Sequence, residues 1–303
     1  MNKQTSIVVI GLTLFFNEVW GQTFKQQFND LVLKKDTAGQ VELLKKWERT
    51  DDNDPELYVA YFNFYVTKSK RDFIELGNNP KGKDVLKIMD KDTTKKAPVG
   101  YMYGNSSYDK ELLAKGFEYA DKGIAKNPTR LDIRFGKIYI FGQSENYNDF
   151  TLEVIKAVDY STIIKNKWTW TDNKPVDDPK QFMLSSIQTY QLQLYNANND
   201  DLLDNMKQIA ETVLKYFPDH VESLSNLSIV YLVKKEYDKA LSSLLKAEKL
   251  APKDYIVLSN IAHAYKLKDD KKNAIKYYEL TVKYGDEQAK KFAEGQITEL
   301  KKN

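Results

Sequence analysis

The chain has 303 residues, 42% of them hydrophobic and 29% charged, the composition of a folded globular protein and not of a disordered one. Its 46 basic and 43 acidic residues nearly cancel to +3, which argues against a nucleic-acid partner held by bulk charge. Cysteine is absent, excluding disulfides, thiolate metal sites and cysteine nucleophiles, and the only arginines, Arg49, Arg71, Arg130 and Arg134, leave few donors for bidentate anion recognition.

The N-terminus reads MNKQTSIVVIGLTLFFNEVWGQTF, with Lys3 ahead of an apolar run from Ile7 to Phe16. Val19 and Gly21 follow at the spacing of a signal-peptidase site. This predicts a secretory signal over residues 1–21, cleaved before Gln22. A spanning helix needs roughly 20 apolar residues, so a membrane anchor is the weaker alternative. With no cysteine to accept a lipid, a soluble periplasmic or secreted protein is expected.

The segment 24–66 opens a helical series. Residues 77–107, with GNNPKGKD and KAPVGYMYGNSS, are too rich in glycine, proline and asparagine for a continuous helix, and a loop, a small hairpin or a functional insertion all remain open. A closing helix is expected from Tyr108 to Asn127. Beyond Pro128, Ile138, Phe141, Phe150, Val154 and Ala157 fall at helical offsets. Residues 161–178 interrupt the series, and in them Trp168 and Trp170 flank Thr169; the indoles either stack on a sugar or pack the linker onto the helices beneath. Asp178 and Pro179 then start a helix as N-cap and first residue. Met206, Ala210 and Val213 stripe the next, which ends before Pro218. These breaks divide the chain into a helical region 22–160, a linker 161–178 and a second array 179–303.

From Val221 the pattern sharpens. Leu224, Leu227, Ser228 and Tyr231 form one apolar stripe, and after the turn KKEYD, Ala240, Leu244 and Ala247 form a second, closed by Pro252. A shift of 34 residues gives Leu258, Ile261, Ala262 and Tyr265, then Ala274, Tyr278 and Thr281, with Asp286 where the closing proline would stand. Ala289, Phe292, Ala293, Ile297 and Leu300 stripe a capping helix. The period, and the small residues at Ser228/Ala240 and Ala262/Ala274 where paired helices approach, resemble the tetratricopeptide repeat family. That resemblance implies an all-α fold, a right-handed superhelical solenoid of antiparallel helix pairs with irregular insertions, in which the upstream pairs are degenerate units.

His220 and His263 are the only histidines, and neither has a second ligand or a triad context around it. The acidic runs TDDNDPEL and WTDNKPVDDP lack the oxygen spacing of a calcium loop, and Asp54 and Asp178 read as helix caps. No enzyme activity, metal or cofactor is expected. In the family the first helices line the inner face, where Asn226 and Asn260 recur one period apart. The resemblance implies an asparagine ladder that hydrogen-bonds a peptide backbone, although both amides could equally bond the neighbouring helix. Ile229, His263 and Lys266 surround them. The family's lysine-and-asparagine clamp for C-terminal carboxylates is not reproduced. The expected function is a cell-envelope scaffold that binds a peptide or protein partner in the groove; the alternative is a glycan- or small-ligand-binding module using the aromatic insertions.

Overall fold

A computed structural model describes residues 22–78, 85–92 and 94–302, with thirteen α-helices and one three-stranded sheet among them. The signal segment expected over residues 1–21 lies outside the described residues. The chain divides into two compact units, the first ending at Asp52 and the second beginning at Asn53.

The first unit is a hairpin of α1 (Phe24–Leu33) and α2 (Thr37–Thr50). It starts on a capping box: the Thr23 hydroxyl accepts from the Gln26 amide, and the Gln26 side chain accepts from the Thr23 amide. Phe24 stacks on Trp47 with ring centroids 5.6 Å apart.

The second unit pairs α3 (Pro55–Ser69) with α4 (Lys110–Lys126), α5 (Leu131–Gln143) with α6 (Tyr147–Ile163), and α7 (Pro179–Asn196) with α8 (Leu203–Tyr216). It continues with α9 (Val221–Val233) and α10 (Tyr237–Leu250), then α11 (Tyr255–Leu267) and α12 (Lys271–Tyr284), and ends on α13 (Glu287–Lys302). Ser228, Ala240, Ala262 and Ala274 are completely buried, as close approach within each pair requires. Thr281 is equally buried, its hydroxyl satisfied by the Tyr277 carbonyl at 3.0 Å. Asp286, in place of the proline, caps α13 by accepting from the Ala289 amide.

One turn recurs inside the pairs. Glu236 donates its amide to the Tyr231 carbonyl, Asp270 to Tyr265, Asn146 to Phe141 and Asp36 to Leu31, each across a residue of positive φ: Lys235, Asp269, Glu145 and Lys35. This closure satisfies the carbonyls at the end of the first helix. It identifies α5/α6 and α1/α2 as the same kind of unit as the regular pairs. The fold is therefore a helical-repeat array, as expected.

The stretch expected to break the helical series, residues 77–107, does so as a small sheet that begins at Lys70. Between α3 and α4 the chain forms β1 (Lys70–Gly77), β2 (Val85–Met89) and β3 (Pro98–Tyr108), an antiparallel sheet in the order β1-β3-β2. Arg71 faces Ser107 and Gly77 faces Tyr101 in one pairing, and Val85 faces Tyr103 in the other. The region 22–160 is thus not wholly helical. Despite this insertion α3 and α4 pack closely, because a Cβ at Gly123 would stand 2.7 Å from that of Tyr58.

The linker 161–178 is fastened to the start of α5. Thr169 donates to the Thr129 carbonyl at 2.9 Å and accepts from Leu131 at 3.0 Å. Beneath it Arg130, fully buried, bonds Asp132 through two nitrogens at 2.8 and 2.7 Å and Glu56 at 2.7 Å. Glu56 also accepts from the Asp172 amide at 2.9 Å. Arg134 lies over the rings of Tyr160 and Trp168, 4.6 and 5.7 Å from their centroids. With the linker in place, α6 packs against both α5 and α8 and only lightly against α7.

Candidate functional site

The first helices α7, α9 and α11 lie side by side, and their shared face carries every residue singled out for binding. Asn226 is only 6% exposed; it donates to the Gln188 side chain at 2.7 Å and accepts from it at 3.5 Å. Asn260 donates to the Ser225 hydroxyl at 3.0 Å. The amides therefore form bridges between adjacent first helices, the second of the alternatives open at sequence level. Their chemistry is spent in register-setting bonds, with the Asn260 carbonyl oxygen outside them.

Apolar side chains flank these bridges. Ile229 is half-buried, while Val233 and Ile256 are 46% and 55% exposed. The exposed His263 sits one turn before Lys266; partial desolvation and then the Lys266 charge hold its pKa below the usual imidazole value, so it is neutral at pH 7. Lys266 is drawn toward the cap, donating to Gln296 at 2.8 Å and to Glu299 at 2.9 Å on α13. The result is a strip of partly exposed side chains with polar bridges at its base.

His220 caps α9. Its Nδ1 accepts from the Ser223 amide at 3.3 Å, Glu222 lies 3.2 Å from its Nε2, and burial lowers its pKa. Asp54 and Asp178 cap α3 and α7 as anticipated. Among the described residues no group of three or more His, Asp and Glu is placed to hold a metal ion, and no helix is long and apolar enough to cross a membrane.

In the aromatic linker, the structure takes the packing alternative for Trp168. Trp168 is 1% exposed, against Tyr160 and Arg134, and Trp170 packs edge-on to Phe135 and Phe182. Trp168 presents no open face for a sugar, and burying these rings offsets the entropy of ordering the loop. Sequence reasoning also missed Gln188. It stands 38 residues before Asn226, outside the 34-residue period, because the α7–α8 turn is extended by the helical turn Asp200–Leu202.

A second concavity was not foreseen. β3, α4 and the α5–α6 turn enclose an open cleft of about 1160 Å³, with Phe117 and Phe141 among its lining residues.

Against known proteins, residues 256–284, which are α11 and α12, match the family model described as tetratricopeptide repeat. No curated protein matches the chain. Similar solved structures include the C-terminal part of a TPR repeat-containing protein from Cytophaga hutchinsonii, 18% identical with a TM-score of 0.42 over 86% of this chain and 78% of that one. YrrB, described as a TPR protein with an unusual peptide-binding site, is 12% identical with a TM-score of 0.39 over 83% and 97%. MamA is 14% identical with a TM-score of 0.30 over 88% and 92%. The chain thus carries, within its array of paired helices, a segment similar to the tetratricopeptide repeat.

Proposed function

We propose that this chain is a non-enzymatic docking scaffold of the cell envelope, taking a peptide or protein partner on the face of α7, α9 and α11. The observation that carries this reading is the strip of Ile229, Val233, Ile256 and His263, exposed or half-exposed beside internally bonded amides, on helices that include the matched repeat. Such a face offers apolar area without unpaired charge, so a polypeptide can dock with little desolvation cost. The asparagines act as spacers that hold adjacent first helices in register, and Asn260 retains a carbonyl acceptor for a partner amide.

Export is part of the proposal. The apolar N-terminal run supports it, as does the capping box at Thr23: cleavage before Gln22 would remove nothing that α1 uses to start. N-terminal sequencing of the protein recovered from its cells tests this, and a chain still beginning at Met1 would refute it.

The docking reading is tested by placing a photo-crosslinking residue at Ile256 and, as a control, at the exposed Ser242 of α10. A discrete polypeptide adduct at Ile256 and none at Ser242 is the expected result. Equal labelling at both positions would refute the assignment of this face.

A further inference from the structure

The two faces of the β1-β3-β2 sheet differ in kind. On one, Glu75 accepts from the Asn105 side chain at 2.5 Å, and a Cβ at Gly77 would stand 2.8 Å from the Tyr103 hydroxyl. On the other, strand alternation places Ile74 and Leu76 of β1 beside Met102 of β3 and Leu86 and Ile88 of β2. The Ser106 hydroxyl donates to Asp72 at 2.6 Å at the base of that face, and the Ile88 side chain lies 3.8 Å from where a Gly100 Cβ would stand. Gly100 and Gly104 leave Met102 as the only projection of the middle strand between them, which flattens the surface. Ile74, Leu76 and Leu86 are 70%, 66% and 69% exposed and Ile88 is 37% exposed, so an aliphatic face of the kind that alternation normally turns to a core reaches solvent instead.

Residues 79–84, between β1 and β2, read NPKGKD and hold no large apolar side chain to lay over this face. The charge beside it is positive. Asp72 pairs with Lys70 at 3.0 Å, Asp90 with Lys95 at 2.8 Å, and Asp92 accepts from the Thr94 hydroxyl at 2.6 Å. Lys87, Lys91 and Lys96 are exposed and without an ion pair among the described residues. Lys91 and Lys96 belong to the turn between β2 and β3, where Met89 and Val99 are themselves 48% and 57% exposed. Four aliphatic side chains, none more than 70% exposed, do not reach the roughly 800 Å² per partner of a stable protein interface. A lipid surface asks for neither that area nor a complementary shape: affinity rises with the apolar area inserted and with each cation set beside an anionic headgroup.

We propose that the face of Ile74, Leu76, Leu86 and Ile88 docks the chain on an anionic lipid surface. The aliphatic side chains enter the boundary between headgroups and acyl chains, and Lys91 and Lys96 meet the lipid phosphates. The contact is peripheral, made by an inserted sheet and not by a spanning helix. This goes beyond the docking face of the first helices and does not depend on it.

The test is sedimentation of the chain recovered from its cells with vesicles of phosphatidylcholine alone or of equimolar phosphatidylcholine and phosphatidylglycerol. Binding to the anionic vesicles is expected to be the stronger. Leu76→Ser with Leu86→Ser is expected to lower partitioning into them about tenfold or more. Lys91→Gln with Lys96→Gln is expected to lower it about fivefold for each lysine, and to leave partitioning into phosphatidylcholine unchanged. All four side chains are exposed, so the fold tolerates these changes. Because the chain has no cysteine, Leu86→Cys accepts a single environment-sensitive fluorophore, with Ser242→Cys at an exposed position of α10 as the control. Emission is expected to shift to the blue on anionic vesicles for the first label and not for the second. No sedimentation with anionic vesicles, partitioning indifferent to either double variant, or equal shifts of the two labels would overturn the proposal. A label on Leu86→Cys that is already blue-shifted before vesicles are added would overturn it too, and would assign the cover to a second copy or to the chain itself. Binding lost only with Val233→Asp and Ile256→Asp would overturn it in favour of the first-helix face.

Discussion

Arg130→Met removes the cation at the centre of the junction between α3, α5 and the linker while preserving most of the apolar stem. The guanidinium is fully buried, and the side chains of Glu56 and Asp132 are only 9% and 11% exposed, so the variant leaves a pair of carboxylates in a poorly solvated site without their counter-charge. Breaking a buried pair from one side costs about 3–5 kcal/mol. The lower end is expected here, about 3 kcal/mol, because Glu56 still accepts from the Asp172 amide and Asp132 from the Thr171 hydroxyl. With an m-value of about 3 kcal/mol/M, that loss moves the urea midpoint down by about 1 M. Tryptophan fluorescence reports it directly, since Trp168 packs on Arg134 in the adjoining part of the junction. Adding Glu56→Gln and Asp132→Asn is expected to recover more than half of the loss, because no buried charge then remains unanswered. A loss below about 1 kcal/mol, or a triple variant no better than the single one, would refute the argument.

Other expectations follow from the same packing and charge logic. Ala262→Leu forces a larger side chain between α11 and α12 where nothing is exposed, and is expected to destabilise by about 1–3 kcal/mol in chemical denaturation. Lys235→Gly relieves a side chain held at a φ of 60° and is expected to raise the melting temperature slightly, by up to about 1 kcal/mol of stability. Burial raises the pKa of Glu153, but its bond to Lys156 and the charge of buried Lys137 lower it by more, so the net shift is downward. A depressed carboxyl pKa contributes stability that is complete above the unfolded value of about 4.3 and is lost as pH falls through the folded one. Glu153→Gln is therefore expected to flatten the stability profile below about pH 5, and an unchanged acid limb would contradict the assignment.

How much of this was legible in the sequence depended on how locally each feature is determined. The pairs α9/α10 and α11/α12 were legible because Leu224, Ala240, Leu258 and Ala274 each pack within a helix pair or against the next one, so a fixed period records the contact. The sheet was not. Gly77 pairs with Tyr101 and Lys70 with Tyr108, across a strand order that skips a neighbour, and no local spacing encodes such a match. Alternation was present in VLKIM, but the surrounding glycine, proline and asparagine left loop, hairpin and insertion all open. That the indoles could pack onto the helices was legible for Trp168, but its cover was not, because Tyr160 and Arg134 come from separate helices. The asparagine periodicity was real, whereas its partners were hidden: Gln188 lies off the period, and Ser225 is an ordinary helix residue until α11 is placed beside it.

The central claim, that the face of α7, α9 and α11 is a docking surface, is tested most directly by the affinity of the polypeptide that crosslinks at Ile256. It should be measured against the native chain and against a variant carrying Val233→Asp and Ile256→Asp. Both side chains are about half exposed, so the fold should tolerate the change while the apolar strip does not. The account predicts unchanged helicity and an affinity lower by about tenfold or more. Unchanged affinity in a folded variant would contradict it.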